Sequence, residues 1–231
     1  GIDLIYGLHG QTNKEWELDL SQALSLNPEH LSYYMKKKKK NAPLGKAAKR
    51  GVIVPLREED VARLFSFTLD YLCSHGYPPY EISNFAKVGS FDPKKFRSRH
   101  NLKYWNFSPY VGLGPSAHSY VHPVRFWNTS LVAEYIEKIE GGISPEEESE
   151  TLTREQQIIE SVFLGLRTTD GIDLKNFEKR FDSTFVGLFE KPLCRLLRDG
   201  FLIVSRDRCA PTFKGLRFHD GICGLLVREI G

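Results

Sequence analysis

The sequence predicts an α/β chain, with a strand–helix–strand unit at the N-terminal end and a set of consecutive helices with a small ribbon at the C-terminal end. Two observations lead there. The apolar run Ile2-Asp3-Leu4-Ile5-Tyr6 is followed by a Gly7/Gly10 turn, a helix with its own start signal and a second strand-like run at His30–Met35. That order implies parallel strands joined by a right-handed crossover. From about residue 150 onward the alternation stops and helices follow one another, as in a separate layer or domain.

Element by element, Thr12-Asn13-Lys14-Glu15 is a capping box that starts the first helix. Trp16, Leu20, Ala23 and Leu24 fall on one face of it, and Asn27-Pro28 stops it. Glu58 to Ser74 carries apolar residues at helical spacing and ends at Gly76. Tyr80 to Ala86 reads as a strand, and Lys87 to Arg99 as a polar, basic loop. Arg125-Phe126-Trp127-Asn128 reads as a short strand, and Leu131 to Glu140 as a short helix. Gly141 to Ser149 is acidic and turn-rich, which places a domain boundary there. A helix through Ile158, Val162 and Leu166 follows, with Thr151 or Thr153 as its N-cap. Asp173–Phe181 is a further helix, and Phe185–Asp199 another, with a break expected at Pro192. A ribbon of Phe201–Val204 and Cys209–Thr212 precedes one final helix, Phe213 to Ile230. Helices followed by a ribbon suggest a winged-helix-like module.

Composition limits the function classes. Hydrophobic residues make up 41% and charged residues 26% of 231, ordinary for a globular chain with a real core. The net charge of +3 does not by itself call for a nucleic-acid partner. Cys73, Cys194, Cys209 and Cys223 are scattered, so no local zinc or cluster site can be read, and a reducing, cytoplasmic compartment is expected. There is no run of 18 apolar residues, so no membrane span is expected. The chain opens at Gly1 directly on a strand, and its sole methionine is Met35, so it is expected to be the C-terminal piece of something longer.

Two runs stand out chemically. Ser98-Arg99-His100-Asn101-Leu102-Lys103-Tyr104-Trp105 gathers an imidazole, an amide, a phenol and an indole. If helical, it pairs His100 with Tyr104 and Asn101 with Trp105 at i, i+4. Aromatic bodies with polar tips suit a flat, partly apolar ligand. Gly112-Leu113-Gly114-Pro115-Ser116-Ala117-His118-Ser119 is a Gly-rich turn that lets backbone approach closely and ends in a second histidine. The competing reading is that these side chains are structural, with every polar tip bonded to backbone. Asp3, a carboxylate in an apolar strand, is costly unless paired or functional. Lys36 to Lys40 is either a solvated loop or an attractor of carboxylates.

These runs, with Tyr80-Glu81-Ile82-Ser83-Asn84-Phe85-Ala86 and Ile2-Asp3-Leu4-Ile5-Tyr6-Gly7-Leu8-His9-Gly10-Gln11-Thr12, resemble the HemW family. That family is the haem-chaperone branch of the radical S-adenosylmethionine proteins, related to oxygen-independent coproporphyrinogen III oxidase. The His-Asn-x-x-Tyr-Trp run resembles the haem-chaperone branch specifically. The resemblance implies the C-terminal part of an incomplete (β/α) radical-SAM barrel over 1–145 and a HemN-type helical, winged-helix-like domain over 150–231. It implies S-adenosylmethionine and a [4Fe-4S] cluster in the full-length protein, although the Cys-x-x-x-Cys-x-x-Cys motif that would hold the cluster is absent from this chain. It also implies haem or another tetrapyrrole as ligand. Asp3, Tyr34 and Lys37 would border the S-adenosylmethionine site, while His100, Asn101, Tyr104, Trp105 and His118 would serve haem. Arg97, Arg99 and Lys103 are candidates to pair its propionates. The lysine run departs from the family, which has mixed hydroxyl, apolar and acidic residues there.

Three functions follow as expectations. The first is haem binding with delivery to an acceptor protein, as a monomer or a homodimer. The second is radical conversion of coproporphyrinogen III to protoporphyrinogen IX, with the chemistry supplied by cluster and cofactor. The third is a winged-helix nucleic-acid module offering Lys191, Arg195 and Arg198 on the helix from Phe185 to Asp199, an option disfavoured because that helix is also apolar and ends in an acid.

Overall fold

The structure, a computed structural model, describes residues 1–36 and 43–230. It divides into two compact units, Gly1–Ser98 and Arg99–Gly231.

The first unit begins with β1 (Ile2–Tyr6), α1 (Asn13–Ser25) and β2 (His30–Met35), then α2 (Pro43–Lys49), α3 (Glu58–Ser74) and β3 (Asn84–Ala86). β1 and β2 pair in parallel around α1, as the strand–helix–strand reading expects. Thr12 and Glu15 form the expected capping box, which satisfies two otherwise orphaned amides at the start of α1. Trp16, Leu20 and Ala23 of α1 and Leu64, Leu69 and Leu72 of α3 bury against one face of the sheet with Leu31, Tyr33 and Phe85. The buried Trp16 Nε1 donates to Thr68 Oγ1 at 2.7 Å, so the two helices share a satisfied polar contact inside the core.

The expected strand Tyr80–Ala86 is shorter than predicted. Only Asn84–Ala86 is extended, and it runs antiparallel to β2. The reason is Glu81, fully buried, whose carboxylate accepts from the Ser83 amide at 2.9 Å and from the Asn84 side-chain amide. Those bonds fold residues 80–84 into a tight turn, closed by the Tyr80 amide donating to the Asn84 carbonyl. The opposite sheet face carries Asp3, Ile5, Ser32 and Tyr34, none of which belongs to the first unit's main core among the described residues.

The second unit contains α4 (Arg99–Trp105), β4 (His118–Val121), β5 (Val124–Asn128), α5 (Val132–Glu140), β6 (Glu146–Thr151), α6 (Arg154–Gly165), β7 (Ile172–Asp173), α7 (Leu174–Phe181), α8 (Phe185–Leu188), α9 (Glu190–Arg198), β8 (Leu202–Val204), β9 (Arg208–Pro211), α10 (Phe213–Arg217) and α11 (His219–Val227). Two antiparallel sheets result, β4-β5-β6 and β7-β9-β8. Helix α6, short strand β7, three helices α7–α9 and the two-stranded wing β8–β9, with β7 beside β9, make a winged-helix-like arrangement. Its core runs from Ile158, Val162 and Leu166 through Phe177, Phe181, Phe185 and Phe189 to Ile222 and Leu226.

Three local expectations are corrected here. Residues 146–151, predicted as part of a turn-rich break and the start of a helix, form β6, because β5 offers an edge and its Arg125 attracts Glu150. Such pairing overrides the poor strand propensity of glutamate. The break in the helix expected over 185–199 falls at Phe189 and not at Pro192. Pro192 sits in the first turn of α9, where a missing N–H costs nothing. The final helix is two: Phe218, with φ −114°, separates α10 from α11, and Thr212 caps the first. Among the described residues no helix is long and apolar enough to cross a membrane.

Candidate functional site

Within the second unit, one face of the β4-β5-β6 sheet carries two cross-strand rows. His118 lies opposite Trp127 and Trp127 opposite Glu148; Tyr120 lies opposite Arg125 and Arg125 opposite Glu150. Alternation along each strand puts these side chains on one side. The same rows, without Glu148, form one wall of a cavity of about 620 Å³. Tyr104 and Trp105 from α4, Phe107, Ser108 and Tyr110 from the turn after it, and Ile159, Glu160, Phe163 and Leu164 from α6 complete the lining.

The two sequence runs therefore contribute to one cavity. α4 is helical as predicted, and the His100 and Tyr104 rings meet edge to face with centroids 5.1 Å apart. Tyr104 then packs on Tyr110 at 4.6 Å. His100 itself is exposed and does not line the cavity, and Asn101 is half-buried on α4. His118 does line it, with its ring 5.4 Å from Trp127. Neither imidazole nitrogen of His118 has a hydrogen-bond partner among the described residues. The Trp105 indole N–H is buried without a partner among the described residues, while the guanidinium of Arg167 lies 4.3 Å over its ring. A buried donor left unmade costs about 1–3 kcal/mol, so an orphan on a cavity wall marks a place where a ligand atom would be welcome.

The Gly-rich turn has a definite task. A Cβ on Gly112 would fall 2.2 Å from the His118 carbonyl oxygen, so only glycine lets this strand-like stretch run beside β4. The Gly112 amide donates to Ser119 Oγ at 3.0 Å, and the Gly114 amide donates to the Tyr135 hydroxyl of α5 at 3.1 Å.

The cavity's charge is balanced internally. Arg125 Nη2 donates to both Glu160 carboxylate oxygens at 2.5 Å, and Nη1 donates to Glu150 at 3.1 Å. Burial works against the Arg125 charge, but the two glutamates outweigh it and raise the guanidinium pKa. Burial likewise pushes up the phenols of Tyr110 and Tyr120, so both are neutral hydroxyls near pH 7. The lining is thus largely aromatic, with one closed ion triad and one open imidazole. Tyr110, Tyr120, Arg125, Trp127, Glu150 and Glu160 were not among the residues singled out from sequence. The period-two spacing of Arg125 and Trp127 was the one available signal, and it needed β4 and β6 as partners to acquire meaning.

Residues expected to border S-adenosylmethionine lie in the first unit. Asp3 is exposed on β1, opposite Ser32, so its carboxylate stays solvated and needs no buried partner. Tyr34 is 43% exposed on the same face, opposite Ile5. Lys37 lies outside the described residues, as does the rest of the lysine run except Lys36. The cysteines do not fit an iron–sulfur cluster: Cys194 is exposed, Cys73 is half-buried, and Cys209 and Cys223 are buried with thiols pushed up to about 12 by burial. No group of three or more His, Cys, Asp or Glu residues among those described is arranged to hold a metal ion.

A family model described as the HemN C-terminal domain matches residues 152–218, from the end of β6 to the start of α11. The heme chaperone HemW of Bacillus subtilis is 33% identical over 229 residues, covering 99% of this chain and 59% of that protein. The heme chaperone HemW of Lactococcus lactis is 30% identical, covering 96% and 56%. The chain thus spans somewhat over half the length of these relatives. Among solved structures, coproporphyrinogen III oxidase (HemN) from Escherichia coli, described as a radical SAM enzyme, superposes with a TM-score of 0.73 at 24% identity, covering 97% of this chain and 54% of that one. Fold, domain match and sequence likeness over almost the whole chain agree: the chain is similar to the heme chaperones named HemW and has the α/β fold of HemN.

Proposed function

We propose that this chain binds haem through its second unit and hands it to an acceptor protein. The observation that carries this reading is the cavity of about 620 Å³, lined by Tyr104, Trp105, Tyr120, His118 and Trp127. Its size lies within the range of about 300–1,000 Å³ usual for small-molecule sites. A flat tetrapyrrole would pack on the aromatic walls, and His118 is the axial candidate because it lines the cavity with both ring nitrogens unengaged. His100 supports Tyr104 from outside the lining. The names of the relatives support haem handling. A reducing cytoplasmic location, an acceptor protein and a homodimer belong to the same proposal, as does the division of the chain into 1–145 and 150–231, which the domain match at 152–218 supports.

The test is a haemin titration of the full chain followed at the Soret band. His118→Ala should weaken binding and shift the band, and His100→Ala should do less. Unchanged affinity and spectrum in both variants would leave the structural reading of the two histidines standing.

A second reading, radical conversion of coproporphyrinogen in the full-length protein, is favoured by the structural likeness to coproporphyrinogen III oxidase. S-adenosylmethionine and a [4Fe-4S] cluster would supply that chemistry, with ligands outside this chain. Incubation of full-length protein with coproporphyrinogen III and S-adenosylmethionine separates the two. A nucleic-acid role for the winged-helix-like part has little support: Arg195 and Arg198 on the exposed side of α9 both pair with Asp199.

A further inference from the structure

A second cavity, of about 650 Å³, adjoins the first at the Trp105–Ser108 segment, and Trp105, Phe107 and Ser108 line both. The two spaces differ in chemistry. The first is walled mainly by aromatic and aliphatic side chains, and its one cation, Arg125, is consumed by Glu150 and Glu160. The second is lined by Lys179, Arg180 and Arg208, with a single carboxylate, Asp173. Arg208 is paired to that carboxylate at 3.3 Å, which leaves Lys179 and Arg180 as uncompensated charge. Lys179 has no ion pair among the described residues. Arg180 spends one Nη2 contact on the Phe107 carbonyl at 3.3 Å and lies 4.9 Å over the Phe107 ring, so it is held at the shared wall with most of its donors open. Phe107 is in turn stacked on Tyr120 inside the first cavity, at 4.8 Å.

We infer that the two cavities act as one amphipathic site, with the tetrapyrrole ring in the aromatic cavity and its two propionates reaching over the Phe107–Ser108 edge to Lys179 and Arg180. Two open cations answer two carboxylates, and the apolar cavity is spared any unpaired charge. The surface cations nearest the motif in sequence, Arg99 and Lys103, do not line either cavity, and Arg97 is engaged over the Tyr80 ring in the first unit. This inference rests on the haem reading above and assigns the ligand's orientation within it.

The test compares haemin with haemin dimethyl ester, which keeps ring and iron but has no carboxylates, on the full chain in matched solvent. Replacing Lys179→Gln alone should weaken haemin binding and leave the ester unaffected, and adding Arg180→Gln should bring the loss for haemin to roughly tenfold or more, well beyond any loss for the ester, since each substitution removes a charge-assisted contact that the ester never makes. The wild type should prefer haemin to its ester, and that preference should shrink with added salt. Because Arg180 also holds Phe107, the exposed Lys179→Glu alone, checked by thermal melting, provides a second variant that keeps the fold. Equal binding of haemin and ester by wild type, with unchanged haemin affinity in the variants, would overturn the orientation while leaving haem binding intact. Failure of the wild type to bind either ligand would overturn the haem reading and this inference with it.

Discussion

Gly112 decides where His118 sits. Its missing Cβ is the space occupied by the His118 carbonyl oxygen and, at 3.0 Å, by the Ala117 Cβ. Gly112→Ala should therefore displace β4, lower the melting temperature and weaken any ligand contact of His118; an unchanged melt with unchanged haemin binding would contradict this. Arg125 is the other residue on which the cavity depends. Arg125→Met would leave Glu150 and Glu160 facing each other, at a cost of about 1–2 kcal/mol, moderated because the three side chains are between a quarter and a half exposed. Adding Glu160→Gln should recover part of the loss in a urea-denaturation cycle, whereas strict additivity would show that the pair is not coupled. The thiols give a pH prediction. Burial moves Cys209 and Cys223 from the ordinary value of 9.0 up to about 12. The folded chain keeps these protons where the unfolded chain has shed them, so their stabilising contribution is full below about pH 9 and is lost as pH rises from 9 towards 12. Maleimide at pH 7.5 should accordingly label exposed Cys194 readily, half-buried Cys73 less, and Cys209 and Cys223 only after unfolding; four fast thiols in the native chain would refute the burial.

Elements of this chain start sharply and stop by different means. Thr153 caps α6 in a reciprocal box with Gln156, and α6 supplies Ile159, Glu160, Phe163 and Leu164 to the cavity. Thr153→Ala should cost about 1 kcal/mol and loosen that wall first, which hydrogen exchange of the α6 amides would register. α4 is only seven residues long and buries none of them fully, so it is not stable by propensity. Its position comes from the packing of Tyr104 on Tyr110, of Arg167 over Trp105 and of Phe107 on Tyr120. β6 is an edge strand with four glutamates, all exposed, a composition that discourages pairing with a further strand.

Each of the two units has its own apolar core. In the second, Ile158 to Leu226 form one cluster, and Phe107, Tyr120 and Leu152 form a smaller one beside the cavity. A core of that extent predicts that residues 99–231, produced alone, unfold in a single cooperative transition. Both cavities are lined only by residues of this unit, so the isolated segment should bind haemin with nearly the affinity of the whole chain. A segment that melts without cooperativity, or that folds but loses binding, would show that the site needs the first unit.

Much of this was legible in the sequence because it is local. A capping box, a Gly stop and an i, i+4 pair are short-range physics, so α1, α3 and the His100–Tyr104 contact follow from the residues themselves. The shared use of Tyr104, Trp105 and His118 followed from two motifs only a few residues apart. What sequence could not decide were features set by long-range pairing. An acidic stretch became β6 because β5 had an open edge, and a buried Glu81 turned an expected strand into a tight turn. Tyr120, Arg125 and Glu150 face one cavity because three strands align in register, and Lys179 and Arg180 of α7 line the neighbouring cavity that shares Trp105, Phe107 and Ser108 with it. The local chemistry of each residue was fixed by its identity; which residues share a wall was fixed by strand register and helix packing, which exist only once the chain has closed on itself.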